Sequence, residues 1–234
     1  MKQWMLFGIL AVGAVCSTLA QPVVYSFNFN NGFNNGGAVP DGNLAGWSDT
    51  RNISGVLGND NDNPNAIFDI NVFLNLSGGY NGDLYGYLVH SSGFAVLLNR
   101  PGRSNLSPFG YSDAGMNLAF DEGAANNVHT YQLVPGYAVS LNDGSTWQPD
   151  GRNTNPTSVN GSETRDSLLD SFNGLSADGN WTLFLADLSV GETSTVVNWG
   201  MQVTATPEPS TFGLLGLGAA LAGVQWWRVQ RRRG

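Results

Sequence analysis

Residues 67–76 read IFDINVFLNL and contain the clearest strand signal of the chain. From Ile70 to Leu76 every second residue is aliphatic, and Asp69, Asn71 and Asn75 alternate with these residues. Successive side chains of a strand point to opposite faces, so this pattern predicts a strand with one buried and one polar face. Such a strand needs a second layer of structure against which it buries its apolar face.

Further segments that read as strands, several of them with the same alternation, lie on both sides of this strand and predict an all-β fold. They are Val23–Phe29, Asp83–Val89, Phe94–Leu98, Met116–Phe120, Trp181–Asp187 and Val197–Val203. Short glycine-containing turns join the three segments between residues 67 and 98, which predicts an antiparallel meander. Residues 30–65 and most of 99–166 read as irregular. Because no segment of twelve or more residues has helical spacing apart from the two ends, we expect a β-sandwich.

The charge balance differs between the middle of the chain and its ends. Residues 21–206 hold five arginines, no lysine and seventeen acidic residues, which gives a net charge of about −12. Such a segment lacks the basic footprint that phosphate contacts require, so we expect no nucleic-acid partner. The only cysteine of the chain is Cys16, and disulfides therefore cannot stabilise the middle segment. Its length suits one domain with one hydrophobic core.

Both ends of the chain have the composition of export signals. Residues 1–20 combine Lys2, an apolar core and small residues before Ala20, which predicts a secretory signal peptide cleaved after Ala20. Residues 206–234 contain a polar hinge, an apolar run from Phe212 to Trp227 and an arginine-rich end. At about 1.5 Å per residue the run forms roughly 24 Å of helix, a little short of a full hydrocarbon core. The arginines are expected to stay cytoplasmic.

The order of these tail elements resembles the PEP-CTERM sorting signal of Gram-negative bacteria. The residues of the motif are Pro207, Glu208, Pro209, Arg228, Arg231, Arg232 and Arg233. The resemblance implies that an exosortase in the inner membrane recognises the tail and removes it near the Pro-Glu-Pro sequence. The alternative is an ordinary single-pass membrane anchor that follows a proline hinge.

Three short motifs occur in order in the second half of the chain: Phe-Asn-Gly at 172–174, Gly-Asn-Trp-Thr-Leu at 179–183 and Asn-Trp at 198–199. Together with the strand at 67–76 they resemble the P domain (P/Homo B domain) of kexin- and furin-type proprotein convertases. The resemblance covers about residues 60–204. It implies a jelly-roll β-sandwich over residues 60–205, preceded by a strand and loop region over 21–59. The sequence after Asp187 departs from the family pattern.

Oxygen-rich side chains make calcium the candidate cofactor. Residues 59–63 supply five oxygen-bearing side chains in a row, and further aspartates lie at strand ends. Calcium takes six to eight hard oxygen ligands, and here it would stabilise the fold rather than catalyse a reaction. The candidate ligands are Asp60, Asp62, Asp83, Asp121 and Asp187. The alternative is a solvated acidic loop, and an EF-hand is excluded because its twelfth-position glutamate is missing.

The sequence offers little catalytic machinery. His90 reads as a chance location at a strand end, and His129 reads as a solvated residue in a polar stretch. A serine nucleophile needs a histidine base in contact with it, and the chain has no Gly-x-Ser-x-Gly motif. Paired carboxylates could hydrolyse a glycosidic bond, which keeps a secreted hydrolase as a third hypothesis. Asp121 and Glu122 would point to opposite faces if they lie on a strand, so the sequence identifies no such pair.

Two tryptophans are candidate binding residues. Trp47 and Trp147 lie in stretches that read as loops, where an exposed ring could stack on a sugar, although burial under a loop is the alternative. Trp181 and Trp199 lie on predicted strands and are expected in the core.

These patterns predict an exported, non-enzymatic protein of the cell surface or extracellular matrix. By resemblance, such proteins accompany exopolysaccharide production in biofilm-forming bacteria. An exosortase is the expected processing partner, and an exopolysaccharide or a surface protein is the expected binding partner. Before processing, the tail helix would hold the chain in the inner membrane. The alternative function is a calcium-stabilised module that binds a carbohydrate or a protein.

Overall fold

The computed structural model describes residues 22–56, 66–138 and 140–205, together with helical positions in the tail at Gly218, Leu221, Val224, Gln225, Arg228, Gln230 and Arg231. The predicted signal peptide, the aspartates Asp60 and Asp62, the Pro-Glu-Pro motif, Arg232 and Arg233 lie outside the described residues. Among the residues that are described, no helix is both long and apolar enough to cross a membrane.

Among the described residues, nine strands form two sheets that pack as a β-sandwich, which confirms the predicted all-β, jelly-roll-like class. The strands are β1 (Val23–Phe29), β2 (Asn43–Ile53), β3 (Ile67–Gly78), β4 (Leu84–His90), β5 (Gly93–Asn99), β6 (Met116–Phe120), β7 (Leu141–Trp147), β8 (Gly179–Asp187) and β9 (Ser194–Ala205). The five-stranded sheet has the order β1-β9-β3-β6-β7, and the four-stranded sheet has the order β2-β8-β4-β5. Short 3-10 helices occur at Asn34–Gly37, Asn81–Asp83, Val128–Leu133 and Leu169–Phe172.

The core lies between the two sheets and follows from the alternation of β3. Its residues Ile70, Val72, Leu74 and Leu76 are all buried, and they pair in register with buried residues of β9. From the other sheet Trp181 packs inward with no exposed surface, as the sequence predicted. Burial of this apolar area is the main favourable contribution to folding, since the described part of the chain contains no cysteine.

A buried hydrogen bond connects the two sheets across the core. The indole Nε1 of Trp199 on β9 donates to Asp49 on β2 at 2.7 Å. The same carboxylate accepts from Arg51 Nε at 2.6 Å. A buried carboxylate is costly unless it is paired, so both donors are needed to hold Asp49 between the layers.

The predicted meander of three strands is wrong in one respect. β4 and β5 form an antiparallel hairpin, but β3 lies in the other sheet. The chain changes sheets after Gly78 and Gly79, whose positive φ angles of 72° and 66° allow the turn. Glycine-rich turns therefore mark a crossover between layers here, as well as a hairpin.

Two strands lie in stretches that the sequence reading treated as irregular. β2 falls within residues 30–65 and β7 within 99–166, and both are polar edge strands. β1 pairs with β9 and β2 pairs with β8, so the sandwich begins at Val23 rather than at residue 60. Pro22–Glu208 accordingly forms one compact unit, and the predicted division at residue 59 does not separate two parts of the fold.

Candidate functional site

Four aromatic rings stand in a row on the outward face of the four-stranded sheet. We call this row, Tyr85, Tyr87, Phe94 and Phe184, the aromatic ladder. Tyr87 stacks on Phe184 at 4.7 Å between ring centroids, with the planes 16° apart. Phe94 lies 5.2 Å and Tyr85 lies 5.8 Å from Tyr87, so all four rings are in contact. Each ring is half-buried.

The strand registers place these rings opposite each other. Tyr87 on β4 pairs directly with Phe184 on β8, and paired side chains on one face of a sheet lie in contact. Gly46 on β2 makes room for Phe184, because a Cβ at Gly46 would lie 2.6 Å from the Phe184 ring. Its φ of +60° is also one that a glycine adopts readily.

A row of polar pairs runs beside the ladder between β2 and β8. We call it the polar strip. The hydroxyls of Thr50 and Thr182 are 2.8 Å apart, and Asn52 Nδ2 donates to Asn180 Oδ1 at 2.9 Å. Both pairs are exposed, so each retains donors or acceptors for a ligand.

The ladder and the polar strip form an uncharged surface, which we call the aromatic face. None of the described strand residues that point outward here is charged; they include Ser48, Thr50, Asn52, Tyr85, Tyr87, Val89, Phe94, Val96, Asn180, Thr182, Phe184 and Ala186. Burial, and next the neighbouring Tyr87, raise the pKa of Tyr85, so its hydroxyl remains protonated in neutral solution. Aromatic rings with a polar edge are suited to surfaces that are partly apolar and partly hydroxylated, as sugars are.

The candidate calcium ligands are only partly brought together. Asp83 and Asp187 lie near one another at the ends of paired segments of β4 and β8, whereas Asp121 lies near Asp69 at the other sheet. Arg100 Nη2 donates to Asp83 Oδ1 at 3.0 Å and already neutralises that carboxylate. Within the described ranges, no group of three or more histidine, cysteine, aspartate or glutamate residues could hold a metal ion.

Asp187 is the most perturbed of these carboxylates. It is fully buried, and its Oδ2 atom has no hydrogen-bond partner among the residues that the structure describes. Burial, with additional repulsion from Asp83 and Asp41, raises the pKa of Asp187 to about 6. A bound cation would remove this penalty, and Asp187 is therefore the described residue whose chemistry fits calcium best.

The prediction that Trp47 and Trp147 could be exposed sugar-binding rings is wrong. Trp47 lies on β2 and Trp147 on β7, with exposed fractions of 4% and 2%. Each indole N–H has a partner: Trp47 donates to Asn34 O, and Trp147 donates to Ser145 Oγ. Edge strands bury their inward side chains under the sandwich even where the sequence around them is polar.

Both histidines are structural, which corrects the expectation of a solvated His129. His129 is 2% exposed and contacts Asp150 Oδ2 at 2.7 Å through Nδ1 and Arg103 O at 3.0 Å through Nε2. His90 stacks on Trp181 at 4.1 Å, and its two nitrogens contact the carbonyls of Asn180 and Ser176. Since every one of these partners is an acceptor, neither ring contacts a serine hydroxyl as a general base would.

The carboxylates Asp121 and Glu122 are both used by loops. Asp121 Oδ1 accepts from Gly123 N at 2.6 Å, and Glu122 accepts from Leu169 N. Burial raises the pKa of Glu122. A glycosidase needs two carboxylates that face one substrate, whereas these two oxygens are directed at separate backbone amides.

The aromatic ladder was missed by sequence reasoning. Its signal was present, because Tyr85, Tyr87 and Phe184 occupy alternate positions where a strand with one buried face should have polar residues. Each strand was read singly as apolar, and only the pairing of β4 with β8 and β5 shows that these residues share one face.

Comparison with known proteins identifies the tail. Residues 205–232 match the model of the PEP-CTERM protein-sorting motif. The chain carries a PEP-CTERM sorting motif. This motif implies processing by an exosortase and export to the cell surface. Among curated proteins, none matches the chain.

One solved structure has a loosely similar fold. It is a crystal structure of a complex between the Aeromonas sobria serine protease and a chaperone. The match has a TM-score of 0.45 and 15% sequence identity, and it covers 81% of this chain. The chain spans 28% of the length of the matched chain.

Proposed function

We propose that this protein is a non-enzymatic surface protein that holds a neutral polysaccharide of the extracellular matrix on its aromatic face. The observation that supports this most directly is the uncharged aromatic face in a domain whose net charge is about −12. Stacked rings offer apolar area to the C–H groups of a sugar, and the polar strip offers partners for its hydroxyls. The PEP-CTERM motif, which implies export and cell-surface sorting, supports an extracellular location for such a module.

The resemblance of residues 60–204 to the P domain belongs to the same proposal. It is supported by the two-sheet sandwich and by the burial of Trp181 and Trp199, two residues of the quoted motifs. In the convertases the P domain accompanies a separate catalytic domain, which agrees with a non-enzymatic role. The structural use of His90 and His129 favours the same conclusion over a hydrolase.

The proposed export route has three steps. Residues 1–20 direct secretion, the tail holds the chain transiently in the inner membrane, and an exosortase then removes the tail near Pro207. The intact mass of the native protein, measured separately in membrane, envelope and medium fractions, tests this route. We expect a species that begins at Gln21 and ends near Pro207 outside the inner membrane. A species that still ends at Gly234 in the membrane would contradict the route.

Titration with oligosaccharides tests the binding function. We expect the full chain in detergent micelles to bind a neutral β-1,4-glucan hexasaccharide, measured by calorimetry. Tyr87→Ala removes the central ring of the ladder and should weaken binding about tenfold, because one stacked ring contributes on the order of 1.5 kcal/mol. The control is Phe73→Ala, which removes a half-buried ring from the outward face of the other sheet.

Two results would overturn the binding proposal. One is the absence of binding to neutral β-1,4- and α-1,4-glucan hexasaccharides alike. The other is an equal loss of affinity in Tyr87→Ala and Phe73→Ala, since that would show a general effect on the fold. Circular dichroism of both variants establishes that each retains the sandwich.

The second candidate function is a calcium-stabilised binding module, and it is favoured by Asp187. That buried carboxylate has an oxygen without a described partner and lies near Asp83 and Asp41. If calcium binds there, the melting temperature will rise in millimolar calcium and fall on addition of a chelator. Asp187→Asn should abolish that difference. The same melting temperature in calcium and in chelator would contradict the calcium hypothesis.

A further inference from the structure

An open cavity of about 470 Å³ lies between two loops and the 3-10 helix Val128–Leu133, away from the sheet faces described above. Its lining residues are Gly102, Arg103, Ser104, Ser107, Tyr111, His129, Thr130, Leu133 and residues 160–162. The volume is within the range of small-molecule sites. We call it the Arg103 pocket, after the arginine among its lining residues.

Arg103 has no acidic partner among the residues that the structure describes. Its Nε donates to Pro108 O at 3.1 Å and its Nη2 donates to Thr157 O at 2.9 Å, while its Nη1 donates to Val159 O. The carboxylate–cation pairs of the described residues involve other cations. A guanidinium has five N–H donors, so two of them remain for a ligand.

The remaining polar groups of the pocket are chiefly donors. Asn160 Oδ1 already accepts from Ser162 N at 3.0 Å and from Ser162 Oγ at 2.5 Å, which leaves the Asn160 Nδ2 hydrogens. Ser104 Oγ accepts from two backbone amides, which leaves its hydroxyl hydrogen. The nearby carboxylate of Glu163 is engaged by Asn160 N and Gly161 N at 2.8 and 2.9 Å.

One exposed apolar side chain lines this donor-rich pocket, and two others lie on the loop that forms one of its walls. Leu133 lies in its wall and is 78% exposed. Leu106 and Phe109 lie on the same loop as Ser104 and Ser107 and are almost as exposed or more so. An apolar rim around a polar centre is the usual composition of a ligand site.

We propose that the Arg103 pocket binds the carboxylate of an acidic sugar, such as a uronic acid residue. Arg103 and Asn160 donate to the carboxylate, since the ligand must supply acceptors and negative charge. The hydroxyls of Ser104 and Thr130 bond the sugar hydroxyls, and the rim contacts its C–H groups. This site is separate from the aromatic face, and its occupancy does not depend on the neutral glycan proposed there.

Titration of the full chain in detergent micelles with glucuronate, glucose and acetate tests the proposal. We expect glucuronate to bind at least about tenfold more tightly than either glucose or acetate, because it alone satisfies both parts of the site. Asn160→Asp keeps the acceptor for Ser162 but replaces the donors by negative charge, and should weaken glucuronate binding by about tenfold or more.

The chain supplies matched controls. Asn155 Oδ1 accepts from Thr157 N and Thr157 Oγ1 in the same pattern as Asn160, but it does not line the pocket. Asn155→Asp should leave binding unchanged. The control for Arg103→Gln is Arg165→Gln. Arg165 also donates hydrogen bonds to two backbone carbonyls, and its third acceptor is the side chain of Gln148. Only Arg103→Gln should lose glucuronate binding.

Four outcomes would overturn the proposal, and three of them concern the ligands and the Asn160 variant. They are equal affinity for glucose and glucuronate, equal affinity for acetate and glucuronate, and unchanged binding in Asn160→Asp. Loss of glucuronate binding in Asn155→Asp would also overturn it. A negative charge anywhere on this loop would then weaken binding, whether or not it lines the pocket. If Asn160→Asp still binds a neutral glucan on the aromatic face, the two sites bind their ligands independently.

Discussion

The two sheets share one core but differ in what they show to solvent. The outward face of the four-stranded sheet has four aromatic rings in contact beside a polar strip. The outward face of the five-stranded sheet, which we call the amide face, pairs Asn71 with Gln202 and Asn75 with both Asn198 and Asn117. The first face groups four half-buried rings in contact, whereas the second carries chiefly amide and hydroxyl side chains around the half-buried ring of Phe73.

This difference indicates which face is the better candidate for binding a partner. A sheet packed on one side normally presents polar residues on the other, as the amide face largely does in its antiparallel strands β1, β9, β3 and β6. The aromatic face departs from that rule without any charged residue among its outward strand positions. Apolar area that is retained on the surface commonly marks an interaction site. The comparison therefore favours the aromatic face for the proposed binding, and matched changes on both faces can test that proposal.

The largest effect is expected from glycines that lie on each face. A Cβ at Gly46 would lie 2.4 Å from Leu185 O and 2.6 Å from the Phe184 ring, and one at Gly200 would lie 2.3 Å from Phe27 O. Gly46→Ala and Gly200→Ala should each destabilise the fold by about 2–4 kcal/mol, because backbone and rings must move apart. Urea unfolding measures both values.

Only one of these variants should change glycan binding under conditions where both remain folded. Gly46→Ala displaces Phe184, so the ladder loses its stacking and binding to a neutral glucan hexasaccharide weakens. Gly200→Ala perturbs the amide face and should bind as the unmodified protein does. Equal binding losses in the two variants would refute the assignment of function to the aromatic face.

The next largest effect on folding stability is expected from one buried or half-buried aspartate in each sheet. Burial raises the pKa of Asp187 to about 6, and burial followed by repulsion from Asp121 raises the pKa of Asp69. A raised carboxyl pKa means that the folded state holds a proton more tightly than the unfolded state. The resulting stability is present below about pH 4 and is lost as the pH rises through the folded pKa.

Asp187→Asn should therefore stabilise the protein at pH 8 but hardly at pH 4. The shift from 3.8 to about 6 corresponds to at most about 3 kcal/mol. Asp69→Asn should have an effect of the same sign but smaller. Thermal unfolding of both variants at pH 4, 6 and 8, in chelator, measures the difference. A greater gain at pH 4 than at pH 8 would contradict this account of Asp187.

The fold class was predictable because the alternation of apolar and polar residues can be recognised within the sequence of a single strand. β3 and β6 were found from that pattern, and the burial of Ile70, Val72 and Trp199 followed from it. β2 and β7 were missed because edge strands bury few residues, so their sequences are as polar as loops. The placement of β3 and β4 in different sheets was also missed, since a glycine turn fits both a hairpin and a crossover.

The candidate site depends on residues that are distant in sequence, and so it could not be predicted. Tyr87 and Phe184 meet only because β4 pairs with β8, and Arg103 meets Asn160 only where two loops converge. Short sequence motifs, in contrast, could be recognised without the structure. The tail motif at 205–232 was identified from sequence, because a sorting enzyme reads local sequence rather than an assembled surface.

The smallest effect on stability is expected from one Thr→Val substitution on each face, and these variants distinguish a change in binding from a change in stability. Thr50→Val removes a hydroxyl of the polar strip, and Thr204→Val removes one from the amide face. Both threonines lie on strands, where valine has the same shape and a comparable preference, so each change should alter stability by less than about 0.5 kcal/mol. Thr50→Val should nevertheless weaken binding of the neutral hexasaccharide several-fold, since a sugar hydroxyl loses its partner.

Calorimetry at one temperature, with unfolding midpoints measured in parallel, decides this last comparison. If Thr204→Val weakens binding as much as Thr50→Val, the ligand contacts the amide face and the aromatic ladder has another purpose. If only Thr50→Val does so while both midpoints stay unchanged, the polar strip contacts the ligand directly. The rings alone would tolerate any apolar partner, so under the proposed function the hydroxyl pair of Thr50 and Thr182 beside them would provide the selectivity for a sugar.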